Sequence, residues 1–323
     1  MKRRTFLVAS AGLVLPFASI AQHSGLPRVG FLISETVSGQ ASRINAIRAG
    51  LRELGYTEGK DIAIEFRTAD GNYDRLPGLA AELVRLKVHV LVAFGAKAVV
   101  AARNTTSTVP IVVPATGDPV ALGVVGDLAK PGGNVTGIAI FGPEISAKWL
   151  EFLKEAVPGM RRVAVLRNAA NPTGRSTTDA MQAAAKSLQL ELQPFAVRSR
   201  ADFTGVFAAM ANSRVDGVWV SGDTLFQAHW KEIAALAEKQ RLPAVGRREF
   251  VEAGGLIGYG ANDAQLFRRA AYFVDRILKG AKPTDLPVER PTRFELFVNA
   301  KTARTIGVKV PQSLLQRADR VIE

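Results

Sequence analysis

A chain of 323 residues with 47% hydrophobic side chains has enough apolar material for two domain cores. It contains no cysteine, which excludes disulfide stapling, thiolate metal sites, cysteine nucleophiles and a lipid anchor on an N-terminal thiol. The formal charge of +13 is dispersed, with no basic run of five outside the first residues and no recognition motif, so it reads as a solvated cationic surface and not as a nucleic-acid footprint.

Lys2-Arg3-Arg4 precede an apolar stretch from Phe6 to Ile20 that contains Pro16 and runs into small residues, the layout of a cleaved secretory signal over residues 1–21. The stretch is shorter than the roughly 20 residues that span a bilayer. Arg3-Arg4-Thr5-Phe6-Leu7 also resembles a twin-arginine signal, so either the Sec or the twin-arginine route is open. The expected product is an exported chain that is not a lipoprotein.

Beyond the signal, apolar runs alternate with helical patterns, as βα units around a parallel sheet do. Arg28 to Ile33 reads as the first strand, Ser42 to Leu54 as a helix stopped by Gly55, and Asp61 to Arg67 as the second strand. Leu76 to Leu86 is helical, followed by strand Val88 to Phe94, helix Ala96 to Asn104, strand Pro110 to Pro114, a helix through Val120 to Leu128 and strand Val135 to Ile140. A second series with the same rhythm starts after Gly142-Pro143. It comprises helix Ile145 to Ala156, strand Arg162 to Leu166, helix Ser176 to Leu188, strand Glu191 to Ala196, helix Asp202 to Ala211, strand Gly217 to Val220, helix Leu225 to Gln240 and strand Leu242 to Val245. The tail is expected to add strand Gly255 to Tyr259, helix Asp263 to Leu278, strand Phe294 to Asn299 and a final helix near Ser313. The fold class is α/β, with two Rossmann-like lobes, parallel sheets and a returning tail.

No catalytic or metal constellation emerges. His23, His89 and His229 lack metal-ligand spacing, and Pro131-Gly132-Gly133-Asn134 lacks both the dinucleotide fingerprint and the Lys-Ser/Thr of a P-loop. No catalytic residue, metal or cofactor is therefore expected. Ligands of open parallel sheets sit beyond the carboxyl ends of the strands, and the residues there suit a small polar molecule. Ser34, Gly95, Ala96 and Thr116 offer hydroxyl and helix-start N–H donors. Asp118, Asn168, Ser221, Asp223 and Gly246-Arg247 hold other strand ends, while Phe94, Phe226 and Tyr259 are candidates for an aromatic wall. Asp118 and Asp223 also suit helix caps and Asn168 suits a turn, so capping and binding stay open for each. An exported enzyme would have to use Asp118 and Asp223 as a pair in a closed cleft.

Longer segments carry a resemblance. Thr116-Gly117-Asp118-Pro119-Val120 leading into Leu128-Ala129-Lys130-Pro131-Gly132-Gly133-Asn134-Val135-Thr136-Gly137, then Gly246 to Leu256, and Asp275 to Pro283 followed by Pro291-Thr292-Arg293-Phe294-Glu295-Leu296, resemble the periplasmic substrate-binding proteins of ABC importers related to the tryptophan-type proteins. The resemblance implies a type I periplasmic-binding-protein fold with three crossovers, the lobes being 27–143 plus 258–282 and 144–257 plus 283–323. It implies a monomer in the periplasm that closes on a small amino-acid-like ligand, with an aromatic amino acid or related carboxylate favoured, and delivers it to an ABC permease in the inner membrane. A ligand-sensing module for a membrane receptor is the other non-enzymatic reading. On this analogy a carboxylate meets Ser34, Gly95, Ala96 and Thr116, and an amine meets Asp118 or Asp223. Where members of the family often have two glycines and a proline, this chain has Gly95-Ala96-Lys97, so Lys97 would favour a more acidic ligand if it faced the cleft.

Overall fold

The computed structural model describes residues 25–140, 143–172 and 174–323. The expected signal at 1–21 lies outside the described residues, as does His23.

Strands β1 (Arg28–Ile33), β2 (Ala63–Thr68), β3 (Val90–Phe94), β4 (Ile111–Thr116) and β5 (Val135–Ala139) form the first sheet in the order β2-β1-β3-β4-β5, with every pairing parallel. Strand alternation sends Val29, Phe31 and Ile33 of β1 to one face, against helices Ala41–Glu53 and Asp263–Leu278. Leu32, Leu91 and Ala93 go to the other face, against helices Leu76–Arg85 and Ala96–Thr105. Both faces are thus covered, as a parallel sheet requires. The first pair of helices packs very closely at Gly50, where an added Cβ would fall 2.4 Å from the Arg268 carbonyl oxygen. Only glycine permits that approach.

The second sheet runs β12-β11-β10-β9-β8-β6-β7, from β6 (Arg162–Asn168), β7 (Glu191–Val197), β8 (Gly217–Val220), β9 (Ala244–Gly246), β10 (Ile257–Gly260), β11 (Glu295–Asn299) and β12 (Arg320–Ile322). Its pairings are parallel except between β10 and β11. The chain passes between sheets after β5, after β10 and again before β11, giving the three crossovers of the type I arrangement.

Several elements differ from the expectation. Residues 120–128 form turns instead of a helix, because Gly123 takes a left-handed φ of +68° and interrupts the run. The expected helix Leu225 to Gln240 is broken at His229 into Thr224–Ala228 and Trp230–Lys239. Short helices Arg248–Glu252 and Ala300–Ile306 and strand β12 carry too little periodicity to be read from the sequence. The boundaries also shift. β10 belongs to the second sheet, so the first lobe does not resume at 258 but with the helix at Asp263. Segment 283–289 pairs with the first sheet through Glu289 and Ile138, so it does not open the second lobe.

Candidate functional site

The carboxyl ends of both sheets face one cavity of about 110 Å³. That is the order of the ~150 Å³ that holds a benzene ring. From the first sheet come Phe94 at the end of β3 with Gly95 and Ala96 after it, Thr116 at the end of β4 with Gly117 after it, and Ile140 after β5. From the second come Asn168 at the end of β6, Ser221 and Asp223 after β8, and Arg247 after β9. Five aromatic rings stand in the wall among polar side chains. Phe94 and Phe267 stand with ring centroids 5.5 Å apart, Trp149 and Trp219 at 5.4 Å, and Phe294 enters from the third crossover.

Of the residues expected at the site, Phe94, Gly95, Ala96, Thr116, Asn168, Ser221 and Asp223 line the cavity. The other five do not. Ser34 is buried behind it, its hydroxyl donating to the Phe94 carbonyl at 3.0 Å and so fixing the end of β3. Phe226 is in the second-lobe core, Gly246 packs on Phe250, and Tyr259 stacks behind Phe294 with centroids 5.8 Å apart. Asp118 accepts from the Val120 and Ala121 N–H groups, both at 3.0 Å, and caps the turn that replaces the expected helix. The pair Asp118 and Asp223 is therefore not assembled in the cavity wall. Lys97 does not line the cavity either.

Asp223 combines the two roles left open for it. One oxygen accepts from Leu225 N–H, capping helix Thr224–Ala228, and from the Asn168 amide, each at 2.9 Å; the other accepts from the Asn171 amide at 2.6 Å. Burial pushes its pKa up, against the opposing pull of these donors. Beyond it, the Asn168 amide also reaches the Tyr73 hydroxyl at 3.3 Å, and Tyr73 donates to Glu35 at 2.6 Å. This chain joins the lobes at the cavity mouth. Burial, and the nearby Asp223 and Asp70 charges, raise the Glu35 pKa from 4.5 to about 7 in spite of the Tyr73 bond. Gly95 is a second point of contact between the lobes. Its φ is +95°, and a Cβ there would meet the Thr224 methyl at 2.9 Å and the Ser34 hydroxyl at 3.1 Å.

A cluster that the sequence did not reveal crosses the cavity floor. Asp263, the first residue of its helix, accepts from both Arg43 of the first lobe and Arg247 of the second. Its own N–H donates to Glu249 at 2.9 Å, and Gln40 accepts from Arg43 at 3.0 Å. Arg43 also lies over the rings of Phe267 and Trp230, at 5.5 and 5.9 Å from their centroids. Burial lowers the pKa of each guanidinium from 12.5 to about 10, with Glu249 opposing the shift, so both stay charged near neutrality. Arg43 and Asp263 are 220 residues apart in sequence, which hides the pairing from any local pattern.

Two lobes with three crossovers closed over a cavity at their strand ends define a type I solute-binding protein, a class that works by trapping a small molecule between lobes. The chain belongs to the ABC transporter substrate binding protein family, whose model matches residues 33–322. It is 25% identical over 261 residues to a tyrosine-binding protein of Clostridioides difficile, covering 80% of this chain and 74% of that one. Among solved structures it resembles an ABC domain from Streptococcus pneumonia in complex with L-Trp, with a TM-score of 0.85, 25% identity and coverage of 92% of this chain and 100% of that one. A conserved domain protein of Vibrio cholerae matches with a TM-score of 0.86 at the same identity and coverage.

Proposed function

We propose that this chain is the periplasmic receptor of an ABC importer and that it binds an aromatic amino acid or a related aromatic carboxylate. The observation that carries this reading is the cavity itself: a ring-sized space between aromatic walls, with guanidinium, hydroxyl and helix-start donors at its strand-end rim. The tyrosine and tryptophan ligands of the similar proteins point the same way.

The lobes are taken as 25–140 plus 263–289 and 143–260 plus 295–323. The ligand is held by Phe94, Gly95, Ala96, Thr116, Asn168, Ser221 and Asp223 together with Arg247, Trp149 and Trp219. Gly95 and Ala96 open helix Ala96–Thr105, whose free N–H groups suit a carboxylate. The ligand touches both lobes, so its differential affinity for the closed form drives closure, and the closed form is what a permease in the inner membrane receives. The chain acts without chemistry on its ligand, as a monomer freed from its signal and carrying no lipid. A thermal-shift screen of the mature chain over aromatic amino acids and aromatic carboxylates is expected to raise the unfolding midpoint for at least one of them. A folded chain that responds to none of them, but does respond to sugars or metal ions, overturns the reading.

A further inference from the structure

The unmet hydrogen-bonding groups of the cavity are one-sided. Among the described residues, the buried side-chain atoms of the wall that make no hydrogen bond are Gln40 Nε2, Thr116 Oγ1, Trp219 Nε1 and Arg247 Nε, the last of these 4.0 Å from a Glu249 carboxylate oxygen. Three are N–H groups that can only donate, and the hydroxyl can donate as well. The orientation of the Gln40 amide is fixed because its oxygen accepts from Arg43, leaving the nitrogen unpaired. Buried acceptors without a hydrogen bond do exist in this chain, such as Asn134 Oδ1, Gln240 Oε1 and Glu249 Oε2, but none of these residues lines the cavity.

The two carboxylates of the wall are already engaged. Asp263 is held by two guanidiniums, and Asp223 accepts from two amides and a backbone N–H. A third guanidinium, Arg167, lines the cavity from the penultimate position of β6 and has no carboxylate partner among the described residues. Leaving several buried donors unmet is costly, and a ligand offering acceptors relieves that cost. A ligand bringing an ammonium group finds its natural partner, a free buried carboxylate, already taken. It would also have to lose its hydration shell to enter.

We infer that this cavity selects an aromatic acid without an ammonium group, recognised at Thr116, Trp219, Gln40 and Arg247 through oxygen acceptors, in preference to the corresponding zwitterionic amino acid. This rests on the reading of the chain as a receptor for aromatic carboxylates and narrows the ligand class within it.

The test is isothermal titration calorimetry of the mature chain with matched pairs that differ only in the amine: 3-phenylpropanoate against L-phenylalanine, 3-(4-hydroxyphenyl)propanoate against L-tyrosine, and indole-3-propanoate against L-tryptophan. The expected result is at least about tenfold tighter binding of the acid in the best-binding pair, the scale of leaving a buried polar group unpaired. Tighter binding of the amino acid overturns this inference while the aromatic-ligand reading stands; silence from all six compounds overturns both. Trp219→Phe keeps a ring in the wall and removes one orphan donor, and Thr116→Val removes the hydroxyl at nearly constant shape. Each is expected to weaken the acid by about tenfold with the unfolding midpoint little changed. Unaltered affinity in both folded variants contradicts the assignment of these donors.

Discussion

Asp118 and Asp223 follow strands β4 and β8 in the two lobes, each accepts backbone N–H groups just ahead of it in the chain, and yet only one belongs to the cavity. Asp118 is half-buried over a turn, and both of its bonds are local. Asp223 is buried, and Asn168 and Asn171 converge on it from a neighbouring strand end. The position after a parallel strand makes a residue available to a ligand. What decides its role is whether other elements close over it. The second lobe supplies that cover through the β6 end, through the contact of Asn168 with Tyr73, and through the approach of Thr224 to Gly95 across the mouth.

The comparison can be broken most forcefully at the floor of the cavity. Asp263→Ala strands two buried guanidiniums and is expected to cost about 3–5 kcal/mol in urea unfolding. A loss below 1 kcal/mol contradicts the role of Asp263 as the ion that holds Arg43 and Arg247 together. Asp223→Ala removes a cap and the carboxylate acceptor of two side-chain amides, an expected cost of about 1–3 kcal/mol with loss of ligand binding. Asp118→Ala is expected to cost no more than about 1 kcal/mol and to leave ligand affinity unchanged. Equal effects on affinity from the two aspartate variants would erase the distinction between them.

The smallest expected effect concerns pH. The Glu35 carboxyl titrates near 7 when folded against 4.5 when unfolded, so between these values the folded chain holds the extra proton. Stability contributed by this group is full below about pH 4.5 and is lost as pH rises through about 7. Asp223, whose pKa is also raised by burial, shifts stability in the same direction. Glu35→Gln should therefore flatten part of the fall in unfolding midpoint between pH 5 and pH 7.5. An unchanged slope would show that Glu35 is not the carboxyl responsible.

The fold was legible because parallel strands covered on both faces read as short, nearly continuous apolar runs such as Val90–Phe94, punctuated by helices of ordinary length. The rim of the site was legible for the same reason, since residues directly after such strands have only one place to go. Arg247 shows the limit. The turn Gly246-Arg247 marks the strand end, but the glycine is tucked against Phe250 and the arginine is the residue that reaches the cavity. Trp149, Phe294 and Asp263 come from a helix face, a crossover and a helix start, where their register against the rim is set by packing between elements far apart in sequence. Phe226 and Tyr259 follow the rim signals but serve as backing for it, because aromatic residues at strand ends fill cores as readily as they line ligand sites.

The central claim is that an aromatic acid occupies the cavity whose wall includes Trp149 and Trp219. Their emission reports on that space directly, since both rings form its wall. Titration of the mature chain with 3-phenylpropanoate, followed by intrinsic tryptophan fluorescence, is predicted to give a saturable change at one equivalent that is weakened in Thr116→Val. A flat trace from the folded wild-type chain, repeated across the aromatic carboxylates and aromatic amino acids, would contradict the account.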